Sequence, residues 1–186
     1  CIDNNYSEEQ ILIRNATRDW VKKHVKPHIE EHFQKAETPS YLIKELSNIG
    51  GFGLIIPENY GGVGADYISF GLMMQELEKG DSSIRVISSI QTSLVMYAIY
   101  KFGSEEQRAK YLPKLATGEM LGAFGLTEPD FGSNPSSMHS YYREDGDNIV
   151  INGSKMWIGN AETADIAIVW IKAVSYTHLR AHETDR

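Results

Sequence analysis

Cysteine is almost absent from this chain of 186 residues, since Cys1 is the only one. A single cysteine allows neither a disulfide framework nor a cysteine-based metal site, and it fits a reducing compartment: the cytoplasm, or the mitochondrial matrix in a eukaryote. Positive charge is also scarce, with 18 Lys and Arg against 25 Asp and Glu, and a net charge of −7. Lysine and arginine form no basic run, so nucleic acid is not expected as a partner.

Long apolar runs are missing too. None approaches the roughly 18 residues that a membrane-spanning helix needs, so no membrane span is expected. The sequence opens on Cys1 without a methionine, and we expect that native N-terminal sequence, with any targeting segment, is missing. An apolar fraction of 41% is nevertheless enough for a globular core.

Amphipathic helix patterns fill the first 120 residues. Ser7 and Gln10 form a predicted capping box, and the helix that they start should end at Pro27. Further helices are predicted over residues 40–49, from Asp66 to about residue 79, over residues 83–101, and from Ser104 to about residues 115–118. Three histidines lie four residues apart at positions 24, 28 and 32, but Pro27 interrupts their helix, and no metal site is expected.

The helix predicted over residues 83–101 is apolar on several sides and should be largely buried. Arg85, Ser89 and Thr92 nevertheless share one stripe of it. A buried guanidinium is costly unless an anion or carbonyl groups meet it. The residues alone leave two interpretations open: Arg85 reaches solvent from the first helical turn, or it lines a pocket for a carboxylate.

Residues 121–138 separate the helical region from a region of short strands. The apolar run Leu121–Leu126 is followed by a dense cluster of turn formers, from Thr127 to Pro135. A loop of this kind often binds a ligand, although its composition alone favours an ordinary turn. Strands are predicted over residues 140–143, 149–151, 155–158 and 166–171, with a hairpin turn over residues 145–148. The fold class is therefore α+β, with a helical domain over residues 1–120 and a truncated β domain over residues 121–173.

Residues 174–186 follow the last strand without turn signals or periodicity. Their sequence, VSYTHLRAHETDR, resembles the translation of a transposon-type sequencing adapter. We expect the native sequence to end near Ala173 and assign no function to this tail.

Two motifs at a fixed distance resemble the acyl-CoA dehydrogenases. They are FGLTEPDFGS, at residues 124–133, and KMWI, at residues 155–158. The resemblance extends from Ser7 to Ala173, and residues 81–85, 89–96 and 124–138 are most similar to the family members that oxidise glutaryl-CoA. It implies an N-terminal all-α domain and an antiparallel β-barrel-like middle domain. The catalytic glutamate of the family lies in a C-terminal helical domain that this sequence does not reach, and Glu128 is a loop residue with no role as the base.

The resemblance implies FAD as the cofactor. The residues that match flavin-binding positions are Phe124, Gly125, Leu126, Thr127, Gly132, Ser133, Trp157, Ile158 and Gly159. The Thr127 hydroxyl and nearby N–H groups would bind the pyrimidine edge of the flavin, and Trp157 would stack on the ring system, although Trp157 considered alone is more simply a core residue. Arg85 and Ser89 would bind a distal carboxylate of the substrate, and Ser133 would also contact the acyl-CoA.

The implied reaction is α,β-dehydrogenation of an acyl-CoA thioester. In the glutaryl-CoA branch it continues to oxidative decarboxylation, which yields crotonyl-CoA, and the likeness suggests electron-transfer flavoprotein as the acceptor and a homotetramer. Without the base, this chain alone should not turn over. The sequence departs from the family pattern at Val86 and Gly159, where serine and a threonine or serine are usual, and at Asn134, where aspartate is usual. The alternatives are an acyl-CoA oxidase of the same fold, which passes electrons to O2, and a non-catalytic helical interaction module.

Overall fold

The structure is a computed structural model that describes residues 5–173. The chain divides into two compact units, Cys1–Ala123 with Gly159–Ile166, and Phe124–Ile158 with Ala167–Arg186. The adapter-like tail predicted for residues 174–186 lies outside the described residues.

The first unit is built from helices. In chain order they are α1 (Glu8–Trp20), α2 (Ile29–Lys35), α3 (Tyr41–Asn48), α4 (Tyr67–Glu78), α5 (Ser82–Ser89), α6 (Tyr97–Phe102) and α7 (Glu105–Ala116). A π-helical segment, Val21–Val25, extends α1, and a second one, Ile90–Met96, joins α5 to α6. The helix predicted over residues 83–101 is therefore one helical run with a π-helical middle.

Capping side chains set where these helices begin. Ser7 and Gln10 form the predicted capping box at the start of α1, and Ser104 and Gln107 form a second one at the start of α7. Asp66 caps α4 by accepting a hydrogen bond from the Ser69 amide. The predicted helix starts are thus confirmed. Short polar side chains favour these positions because they satisfy helix N–H groups that have no partner within the helix.

The core of the first unit lies between α1, α3, α4 and α5. Its fully buried side chains include Leu42, Leu46, Phe52, Leu77 and Ile84. Glu76 brings a charge into this core: its side chain is 3% exposed and accepts hydrogen bonds from Arg18 on α1 and Lys79. A carboxylate with two cationic partners is an acceptable buried group, and here it joins α1 to α4.

Short strands make up the sheet region. Strand β1 (Gly122–Gly125) pairs with β4 (Ile166–Val169), and the three-stranded sheet has the order β3 (Asn148–Asn152), β2 (Tyr141–Asp145), β5 (Lys172–Ala173). Strands β2 and β3 form the predicted antiparallel hairpin, with Tyr141 opposite Asn152 and Asp145 opposite Asn148. The short β5 pairs with β2 in parallel. A helical domain followed by a partial sheet domain is thus confirmed.

Two strand predictions are wrong. Residues 155–158 form no strand; their conformation is irregular, and Trp157 has a left-handed backbone, which no ladder accepts. The β-branched run over residues 166–171 predicts one strand, of the kind typical of a buried sheet, yet β4 ends at Val169 and its residues alternate between half-buried and exposed. β-branched side chains favour a strand, but they do not determine whether both of its faces are covered.

Gly122, at the start of β1, packs directly on the π-helical segment. A Cβ at Gly122 would lie 2.5 Å from one methyl group of Val95 and 2.7 Å from the other. We expect Gly122→Ala to lower the free energy of unfolding by about 1–3 kcal/mol, the usual cost of overpacking, measured by urea denaturation. Gly71→Ala is the control. It adds a Cβ on α4 with nothing within 4 Å and should raise stability by about 0.5–1 kcal/mol; equal losses would contradict this account of Gly122.

Candidate functional site

The loop after β1 is tied to the segment that carries Trp157. The Met156 amide donates to the Thr127 carbonyl at 2.9 Å, and the Lys155 ammonium donates to the Leu126 carbonyl at 3.1 Å. All four residues belong to the second unit. The two motifs found in the sequence, 124–133 and 155–158, are therefore neighbours in space.

Glu128 is the anchor of this loop. Glu128 is 4% exposed. Its carboxylate accepts hydrogen bonds from the His139 amide at 2.6 Å, the Ser140 amide at 2.9 Å and the Lys155 ammonium at 2.8 Å. Burial alone would raise the pKa of Glu128. The bonds from Lys155, Ser140 and His139 outweigh burial and hold the pKa well below its usual range, so the group stays ionised. A carboxylate held by Lys155 and two neighbouring backbone amides is a structural anchor.

The far side of the loop is open. Gly132 and Ser133 are exposed, and a Cβ at Gly132 would have nothing within 4 Å. Leu126 and Thr127 are half-buried, Gly125 is buried, and Phe124 makes an edge contact with Trp170 at a centroid distance of 6.1 Å. The anchored side of the loop thus fixes its shape, while residues 132–133 remain accessible to a ligand.

Trp157 is the most exposed large apolar side chain of the described residues, at 84%. Its backbone φ is 60°, a left-handed conformation that is rare for a bulky residue and costs of order 1–3 kcal/mol. The interpretation of Trp157 as a core residue is wrong. A large rigid aromatic ring held in solvent by a strained backbone is suited to stacking on a flat ligand.

Arg85 lies in the first unit, on α5. Its guanidinium is paired with Glu78 on α4 at 2.5 Å, and its side chain is 34% exposed. Arg85 therefore already has an anionic partner, so its charge is compensated without a substrate carboxylate. Hydrogen bonds from Arg85 and then Ser82 hold the pKa of Glu78 below its usual range.

The hydroxyl groups on the same stripe serve the helix itself. Ser89 donates to the Val86 carbonyl at 3.1 Å, and Thr92 is fully buried and accepts a hydrogen bond from the Gly53 amide at 3.0 Å. Thr92 therefore fixes the chain at Gly53 and does not face a ligand. Of the three residues in the stripe, Arg85 and Ser89 remain half-exposed.

Gly159 packs against the same helical run as Arg85. A Cβ there would lie 2.6 Å from Ile90 Cδ1 and 3.9 Å from Val86 Cγ1. The predicted site residues thus fall into two separate groups, one in each unit. Gly159 lies near the helix of Arg85 and Ser89 in the first unit, and the second unit holds the remainder: Phe124, Gly125, Leu126, Thr127, Gly132, Ser133, Trp157 and Ile158.

Within residues 5–173, no group of three His, Cys, Asp or Glu side chains is placed to hold a metal ion. His24 stacks on Trp20, and His32 packs against Tyr41. In the same part of the chain, every helix is too short or too polar to cross a bilayer.

Comparison with known proteins identifies the fold. Residues 7–119, more than half of the chain, match the family described as acyl-CoA dehydrogenase, N-terminal domain. Residues 123–184 match acyl-CoA dehydrogenase, middle domain. The chain belongs to the acyl-CoA dehydrogenase family. Members of this family are FAD-dependent oxidoreductases.

Relatives within the family have different substrates in their names. An acyl-CoA dehydrogenase of Bacillus subtilis is 39% identical over 88% of this chain and 43% of its own length. A glutaryl-CoA dehydrogenase of Desulfococcus multivorans is 36% identical over 91% of this chain and 44% of its own. A glutaryl-CoA dehydrogenase of Mycobacterium smegmatis in complex with FADH2 superposes with a TM-score of 0.89 at 44% identity, covering 92% of this chain and 44% of the other. The chain spans less than half the length of these relatives.

Sequence alone does not reveal the residues that hold the candidate site in place. Glu128 and Lys155 lie inside the two motifs, but their pairing requires the loop and the second segment to meet. Glu78 lies seven residues before Arg85, on a different helix, so helical spacing does not connect them. The sequence does offer one hint: each motif contains a charged residue, Glu128 in one and Lys155 in the other, with no partner assigned.

Proposed function

We propose that this chain supplies the flavin-facing part of an enzyme that dehydrogenates an acyl-CoA thioester between its α and β carbons. Trp157 carries the proposal. It is 84% exposed, left-handed in its backbone, and two residues after the Lys155 that pairs with Glu128. A strained, exposed tryptophan lowers stability unless it binds something, and a flat, largely apolar ring system is the ligand that suits it.

FAD fits the residues around Trp157. When bound, FAD accepts the hydride in this class of reaction. Trp157 would stack on the ring system, and the open loop would offer the amides of Gly132 and Ser133 and the hydroxyls of Thr127 and Ser133 to polar groups of the cofactor and the thioester. Because the Glu128–Lys155 pair fixes the loop beforehand, little reorganisation is needed on binding.

We propose a substrate with a carboxylate at the far end of its acyl chain, of which glutaryl-CoA is the favoured example. Arg85 and Ser89 support this choice: a half-exposed guanidinium and a half-exposed hydroxyl lie one helical turn apart. A carboxylate would have to share Arg85 with Glu78 or displace it. We further propose that the reaction continues to oxidative decarboxylation, which yields crotonyl-CoA, and that electron-transfer flavoprotein accepts the electrons. The complete enzyme would be a homotetramer in a reducing compartment.

Reduction of the flavin by substrate tests this function. A full-length enzyme carrying these residues is loaded with FAD and mixed anaerobically with glutaryl-CoA or butyryl-CoA. We expect loss of the oxidised flavin absorbance with both thioesters, faster with glutaryl-CoA at low concentration. A protein that takes up no FAD, or whose flavin neither thioester reduces, would contradict the proposal and support a non-catalytic interaction module.

An acyl-CoA oxidase of the same fold is the second candidate, favoured by one observation. Gly159 has no side chain and so offers only backbone where the family usually has a hydroxyl. Reoxidation of the reduced enzyme by air, followed by stopped-flow absorbance, separates the two. Slow reoxidation supports the dehydrogenase, whereas rapid reoxidation with stoichiometric peroxide supports the oxidase.

A further inference from the structure

Gly159 is exposed, but a Cβ placed on it would overlap a neighbouring methyl group. Its φ lies outside the left-handed region, so its backbone is open to any L-residue. The residues near it show the reverse: Trp157 and Asn160 have φ of 60° and 63°, where glycine would be less strained. The chain thus places side chains where the backbone favours glycine, and places glycine where it does not.

Ile90 occupies the space that residue 159 would need. A Cβ on Gly159 would lie 2.6 Å from Ile90 Cδ1, closer than real Cβ atoms come to a neighbour. Ile90 is 8% exposed and begins the π-helical segment Ile90–Met96. Its δ-methyl is the free end of the side chain, so it could rotate away from residue 159 only by repacking among buried neighbours or by losing burial.

Asn160, the residue that follows Gly159, is linked to the helix of Ile90 through Gly122. Asn160 donates from Nδ2 to the Gly122 carbonyl at 3.3 Å, and the Gly122 amide donates to Gln91 Oε1 at 2.9 Å. Gln91 is fully buried and follows Ile90 directly. The Asn160 side chain is thus linked through Gly122 to the residue that follows Ile90, and this link opposes a movement of residue 159 away from Ile90.

We propose that Ile90 decides whether position 159 can carry a side chain: its δ-methyl occupies the space that a Cβ would need, so that position 159 offers only backbone to a ligand. The identification of that ligand as FAD rests on the proposed function, whereas the packing of Ile90 against position 159 is independent of it. A hydroxyl at position 159 becomes possible when residue 90 loses its δ-carbon, as in Ile90→Val.

A double-mutant cycle in this chain tests the proposal. We expect Gly159→Ser alone to lower the thermal midpoint by about 4–8 °C, as overpacking does in a protein of this size. Ile90→Val combined with Gly159→Ser should recover at least half of that loss. The control combines Gly159→Ser with Ile87→Val, the same change at a buried isoleucine three residues earlier, which is 6% exposed. This control should show no recovery.

Two results would overturn the inference. One is a Gly159→Ser chain with an unchanged midpoint, and the other is a loss that Ile90→Val does not reduce more than Ile87→Val does. A second measurement, the dissociation constant for FAD in the full-length enzyme, should return to within about threefold of the starting value in the Ile90→Val, Gly159→Ser pair. Failure of the unaltered enzyme to bind FAD would overturn the proposed function while leaving the coupling of the midpoints intact.

Discussion

Arg85→Ala should reduce kcat/KM for glutaryl-CoA roughly thirtyfold to several thousandfold in a full-length enzyme. This corresponds to a loss of about 2–5 kcal/mol of transition-state stabilisation. The reason is that a substrate carboxylate would be desolvated beside Arg85, and removal of the guanidinium leaves it next to Glu78, which is a like charge. Butyryl-CoA has no distal carboxylate and should lose less than about threefold. Steady-state kinetics with both thioesters measure the difference.

The control for Arg85 is Arg108→Ala. Arg108 also pairs with a glutamate, Glu105, and its side chain is 28% exposed, so the two arginines match in burial and partner type. The control should leave the ratio of the two substrates unchanged. Equal losses on glutaryl-CoA and butyryl-CoA in Arg85→Ala would show that Arg85 has a structural role through Glu78, and the glutaryl assignment would be withdrawn.

Glu76→Gln should lower the free energy of unfolding of this chain by about 3 kcal/mol at neutral pH. The Arg18 guanidinium holds the pKa of Glu76 at about 2, below its usual 4.5, against the opposing effect of burial and with help from Lys79. A pKa lowered by folding stabilises the native state above the unfolded pKa, and this stability is lost as the pH falls from about 4.5 towards 2. Acid unfolding followed by circular dichroism should therefore be less steep in the variant over that interval.

Glu31→Gln is the matched control for Glu76. Glu31 pairs with Lys35 on α2, where both side chains are more than half exposed, so its loss should have little effect. Glu128 also has a lowered pKa, so the acid transition of the Glu76 variant becomes less steep without disappearing. A Glu76→Gln chain as stable as the starting chain, with the same acid transition, would contradict the role of Glu76 as the buried link between α1 and α4.

The helical half could be predicted well from sequence because local signals specify it. The capping boxes at Ser7 and Ser104 depend on residues only three positions apart, and the structure confirms both. The hairpin of β2 and β3 has the same advantage, since Gly146 permits the turn locally with φ of 61°.

Long-range contacts explain what sequence could not predict. The segment of residues 155–158 has β-forming residues, yet the bonds of Lys155 and Met156 to the loop hold it in irregular conformation. The exposure of Trp157 and the pairing of Arg85 with Glu78 follow from how distant elements pack. The family motifs indicated which residues form the candidate site, but not that Glu128 anchors the loop or that Ile90 excludes a side chain at position 159.

The central claim is that Trp157 is exposed in order to bind the flavin, and the FAD dissociation constant of Trp157→Ala in a full-length enzyme tests it most directly. The control is Phe102→Ala, which removes an aromatic ring that is 78% exposed on α6. We predict that Trp157→Ala weakens FAD binding about tenfold to a hundredfold, as expected for loss of one stacking platform, with the unfolding midpoint nearly unchanged and no effect in Phe102→Ala. Unchanged FAD affinity in Trp157→Ala would contradict the account.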